Sequence, residues 1–125
     1  LDLALTDVSL KGFIGGFTDG IFGYTVPYQN GAGKFGKVAR FRLSTFDSAE
    51  VITLTGIDPE LVGFRGGFTD WKYGYLVPAE NGKIARFSLD VISISVLDLY
   101  DTDPTLHGFL DGFSDGIYGY LCPHV

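Results

Sequence analysis

Apolar residues in this chain fall at alternate positions in short runs closed by glycine, asparagine, aspartate or proline. In Lys37–Leu43, Ala39, Phe41 and Leu43 share one face, and Val38, Arg40 and Arg42 share the other. Lys83–Leu89 repeats the alternation. A period of two puts successive side chains on opposite faces of a strand, so these runs predict β-structure. No stretch has the spacing of an amphipathic helix, and 18 glycines fit a fold rich in turns. The expected fold is all-β.

The runs recur. Gly12-Phe13-Ile14-Gly15-Gly16-Phe17-Thr18-Asp19 returns as Gly63-Phe64-Arg65-Gly66-Gly67-Phe68-Thr69-Asp70. It returns again as Gly108-Phe109-Leu110-Asp111-Gly112-Phe113-Ser114-Asp115. Each copy leads to an aromatic-Gly-Tyr element and a proline, at Phe22–Pro27, Tyr73–Pro78 and Tyr118–Pro123. Two copies continue through Asn-Gly into Lys-x-Ala-Arg-Phe-x-Leu, and the third stops at Pro123-His124-Val125. Phe13 and Phe64 are 51 residues apart, and Phe64 and Phe109 are 45 apart. The insertion Ala32–Gly36 accounts for most of the difference and is expected to be a surface loop.

Each unit reads as four strands, starting at Leu1–Leu5, Val51–Thr55 and Val96–Tyr100. The units are about 1–50, 51–95 and 96–125, the last without its fourth strand. Asp-Gly at 19–20 and 115–116 supplies the positive φ of a tight hairpin, whereas the middle unit has Asp70-Trp71, where a different turn is expected. Gly16, Gly67 and Gly112 recur inside a strand, which marks a crowded position where another backbone or ring comes close.

Four-stranded units of this length characterise propeller blades. The run Asp-Gly-x-Tyr-Gly-Tyr-x-Val-Pro, then Asn-Gly-Lys-x-Ala-Arg-Phe-x-Leu, resembles blades of the propeller group that includes the YVTN and NHL repeats. The resemblance implies tandem four-stranded antiparallel blades, incomplete in one chain, since propellers close with about four to eight. The incomplete repeat reads as a piece of a longer propeller, a ring of several chains, an open filament, or a three-fold β-trefoil. The chain begins at Leu1 and has no methionine, which reads as a trimmed chain or a fragment.

Charge narrows the partners. The formal net charge of −6 argues against nucleic acid and against an anionic membrane surface, both of which select clustered Lys and Arg. The single cysteine, Cys122, excludes an internal disulfide and a Cys-built zinc site, so no cofactor is expected. Many secreted β-proteins lack disulfides, so an extracellular location stays open.

The candidate sites are repeat positions. Asp19, Asp70 and Asp115, like Asp7, Asp58 and Asp103, are expected to cap turns rather than hold calcium. Arg40 and Arg86 are expected to pair with the repeat aspartates across strands. Trp71 replaces a turn glycine and is expected to be exposed; with Tyr73 it is the candidate carbohydrate contact. Leu1 and Leu3 at one end and Leu121 and Val125 at the other are the candidate assembly edge. The expected function is that of a non-enzymatic structural repeat that self-assembles head to tail into a homo-oligomer or polymer. The alternatives are a carbohydrate-binding module and a piece of a larger propeller enzyme.

Overall fold

The structure, a computed structural model, describes residues 1–124. It is all-β, with three antiparallel sheets of four, four and two strands. The first sheet runs in sequence order: β1 (Phe13–Thr18), β2 (Phe22–Pro27), β3 (Lys37–Arg42) and β4 (Ala49–Thr53). The second repeats it with β5 (Phe64–Thr69), β6 (Tyr73–Pro78), β7 (Lys83–Ser88) and β8 (Ile94–Asp98). The third is the hairpin β9 (Phe109–Ser114) and β10 (Gly119–Pro123). None of the sheets closes into a barrel, so the trefoil alternative does not describe the fold.

Strand phase departs from the sequence reading. Val51–Thr55 does not open the second sheet; Ala49–Thr53 pairs with β3 and closes the first. Ile94–Asp98 likewise pairs with β7 and closes the second. Leu1–Leu5 is not a strand: Leu3–Leu5 forms a 3₁₀ turn whose Asp2 side chain accepts from the Ala4 amide. Leu99–Asp101 forms the matching turn under Asp98. In both, a carboxylate takes an amide that a strand would have paired with a neighbour.

β1, β5 and β9 each carry one extra residue against their partners, a bulge after Phe13, Phe64 and Phe109 respectively. The simple alternation Phe13, Gly15, Phe17 is broken there, and Gly15 sits at φ 92° in the first bulge. The Ala32–Gly36 insertion is not wholly a surface loop. Phe35 is buried, packs against Phe13 at 5.5 Å and accepts from the Gly63 amide at 3.2 Å.

The core lies between the first two sheets. Tyr24, Val26, Val38 and Ile52 on one side meet Phe64, Leu76, Ala85 and Phe87 on the other, with Leu54 and Leu61 in the connection. Phe17 reaches across: its ring atoms would lie 2.8 Å from a Cβ at Gly67 and 3.0 Å from one at Gly74. Phe68 reaches the third sheet in the same way, 2.9 Å from such a position at Gly112 and 3.0 Å at Gly119. Gly67 and Gly112 thus act as holes for a phenylalanine of the preceding sheet, which is why a side chain is missing there.

Candidate functional site

The most repeated local structure is the hairpin tip between the first two strands of each sheet. Asp19 accepts from the amides of Ile21 (2.9 Å) and Phe22 (2.7 Å) with one oxygen and from the Tyr24 hydroxyl (2.9 Å) with the other. Asp70 does the same with Lys72, Tyr73 and Tyr75, and Asp115 with Ile117, Tyr118 and Tyr120. Thr18, Thr69 and Ser114 accept from the amide two residues on, at 2.9 Å each. The middle turn is therefore not a different type. Trp71 takes the glycine conformation, φ 74°, beside 90° at Gly20 and 95° at Gly116.

Burial works against ionisation of Asp19, but the Phe22 and Ile21 amides and the Tyr24 hydroxyl outweigh it and hold the carboxyl below its ordinary range. Asp70 is lowered by the same balance, and the exposed Asp115 by its turn amides and Tyr120. Burial, with the Asp19 carboxylate beside it, pushes the Tyr24 hydroxyl up to about 12. These carboxylates are engaged with their own turns, and no group of three metal-ligating side chains occurs among the described residues.

The second aspartate series caps the other turns. Asp7 accepts from the Ser9 amide at 2.9 Å and from Lys37 at 2.7 Å, and Asp58 from the Glu60 amide at 2.9 Å and Lys83 at 2.6 Å. The lysines of the Lys-x-Ala-Arg-Phe strands are thus the cations that meet repeat aspartates. The arginines are not: Arg40 binds Glu50 through two nitrogens, at 3.0 and 2.8 Å, and stacks over Phe22 at 4.3 Å. Arg86 stacks over Tyr73 at 4.1 Å. An aromatic residue before the repeat glycine is the signal in the sequence for this stacking.

The predicted carbohydrate pair separates. Trp71 is 71% exposed and lines a cleft of about 490 Å³ with Asp19, Arg42, Lys72 and Asp90. The Tyr73 ring lies under Arg86 and does not line that cleft. Of the proposed assembly edge, Leu1 is exposed, Leu3 sits in the 3₁₀ turn, and Val125 lies outside the described residues. Leu121 lines a largely apolar cavity of about 400 Å³ with Phe68, Tyr75, Ile84, Arg86 and Gly119.

Two surfaces escaped the sequence reading. Phe113 is 55% exposed and Tyr120 43%, although the equivalent Tyr24 is 2% exposed. At the other end of the described chain, Gly16 is exposed, and the atoms nearest to a Cβ at Gly16 or at the buried Gly23 belong to their own sheet. The repeat alignment could have shown both, because the first hole and the last knob have no neighbour in the described chain. No known protein family, curated protein or solved structure matches this chain.

Proposed function

We propose that this protein is a non-enzymatic scaffold of propeller-like blades, and that its work is head-to-tail association with further copies of itself. The observation that carries the reading is the exposed aromatic face of the β9–β10 hairpin. Phe113, Tyr118 and Tyr120 stand in solvent where the matching residues of the first two sheets are at least partly covered. An exposed apolar patch of this kind is a site of protein association. The occupied turn carboxylates favour structure over catalysis, since each already accepts the bonds that fix its hairpin. Light scattering across a concentration series, with negative-stain imaging, tests the reading: defined oligomers or polymers are expected, and a monomer throughout refutes it.

A second reading has its own observation. Trp71 holds an exposed indole at a left-handed φ, a conformation that costs a side-chain-bearing residue about 1–2 kcal/mol. Strain of this kind marks functional positions, and the cleft beside it offers charged hydrogen-bonding partners around an aromatic platform, which suits a sugar ring. Trp71 is the single tryptophan, so its fluorescence reports directly on the cleft. A saturable fluorescence change with an oligosaccharide, together with loss of glycan-array binding by Trp71→Ala, is the expected result; no response across a glycan panel removes this reading.

A further inference from the structure

We propose that copies of this chain join by seating Phe113 of one copy over the exposed Gly16, beside Gly23, on the first sheet of the next. This inference rests on the head-to-tail reading above and names the surfaces that would make the joint.

The joint already occurs twice inside the molecule. Phe17 enters the hole at Gly67 and Gly74, and Phe68 enters the hole at Gly112 and Gly119, each with ring atoms 2.8–3.0 Å from where a Cβ would stand. The third knob, Phe113, has no sheet in front of it and is exposed. The first sheet offers the matching place: Gly16 is exposed, with Tyr24 and Thr25 of its own sheet nearest to where a Cβ would stand, and Gly23 beside it lies buried under the Phe41 ring of its own sheet. Knob and hole are thus on opposite end sheets of the described chain, and a second copy presents the hole to the knob.

The free knob is already in its bound posture. Phe17 stacks on Tyr24 with centroids 5.1 Å apart, Phe68 on Tyr75 at 4.9 Å and Phe113 on Tyr120 at 5.2 Å, all within 22° of parallel. A ring fixed before binding has less rotamer freedom to lose, which favours association. A second contact repeats as well. Phe87, seated over Gly74, packs on Tyr24 of the preceding sheet at 5.6 Å. Phe41, seated over Gly23 in the same manner, would meet Tyr120 of the preceding copy. Because the two surfaces differ, the contact is heterologous and either closes a ring or propagates.

The experiment compares the whole chain with Phe113→Ser by light scattering and analytical ultracentrifugation. Phe113 is exposed, so the variant should keep the wild-type circular dichroism spectrum and the melting temperature of the dilute, unassociated wild-type chain. Its self-association should weaken about thirtyfold or more, the effect of truncating a central aromatic anchor. The variant keeps the hole, so fluorescently labelled Phe113→Ser should still join wild-type chains and shorten their assemblies. Wild-type assemblies reproduced unchanged by Phe113→Ser would overturn this joint while leaving self-association standing. Failure of labelled variant to join wild type would overturn its head-to-tail polarity. A wild-type chain that stays monomeric would refute the association reading itself.

Discussion

At the residue scale, Trp71 and Asp70 carry opposite expectations. Trp71 sits at φ 74°, where the other two hairpins have glycine. Trp71→Gly removes the left-handed strain and should stabilise the fold by about 1 kcal/mol in urea unfolding, partly offset by the freedom glycine gains in the unfolded chain. A loss of stability would show that the indole packs more than its 71% exposure implies. Asp70→Asn keeps an oxygen for the turn amides and removes the charge. Charge-assisted bonds are the stronger ones, so this variant should lose about 1–2 kcal/mol at neutral pH. The sign of the pH dependence follows from the lowered carboxyls of Asp19, Asp70 and Asp115. A folded-state value below the ordinary 3.8 means the stabilisation is complete above that pH and is lost as pH falls through the folded-state values. The urea midpoint of the wild type should therefore fall on acidification below about pH 4, with a shallower fall in Asp70→Asn. Parallel acid profiles would refute the assignment.

At the scale of the elements, the glycine holes set the spacing between sheets. A Cβ at Gly74 would stand 2.6 Å from Cζ of the fully buried Phe87 and 3.0 Å from Cζ of Phe17, which packs partly buried against the core. Gly74→Ala should therefore cost about 1–3 kcal/mol through overpacking. Phe87→Ala, which empties the seat of a fully buried ring, should cost about 3–5 kcal/mol. If the glycine variant unfolds at the wild-type midpoint, the hole has slack and the proposed joint loses its specificity. The Asp-Gly hairpin turns and the alternation of β3 and β7 were legible in the sequence, because each follows from local chemistry, and the recurring strand glycines pointed to the crowding at Gly67 and Gly112. The turn at Asp70-Trp71 and the bulges after Phe13 and Phe64 were not legible. Nor was strand phase. Val51–Thr55 has the same alternation whether it opens one sheet or closes another, and only its pairing with β3 decides. The arginine partners were missed for a related reason. Arg40 faces Glu50 across β3 and β4, a pairing that depends on that same register.

At the scale of the whole molecule, stability should be graded along the row of sheets. The main core cluster draws its residues from the first two sheets and the segment joining them, while the third is a two-stranded hairpin in which Phe109 is the single buried large hydrophobic residue. A hairpin of two strands is marginal alone and depends on what covers its faces. One face of β9–β10 is covered by Phe68 and the second sheet; the other presents Phe113 and Tyr120 to solvent. The amides of β9–β10 should then exchange through local openings of lower free energy than those of β2, β3 and β6, which exchange nearer the global limit. Association through Phe113 would cover the open face, so hairpin protection should rise with protein concentration while that of β6 stays constant. Hydrogen-exchange mass spectrometry at low and high concentration reads both quantities in one experiment. Hairpin amides as protected as β6 in the dilute chain would contradict the gradient. Hairpin protection indifferent to concentration, under conditions where light scattering shows assembly, would place the joint on another face.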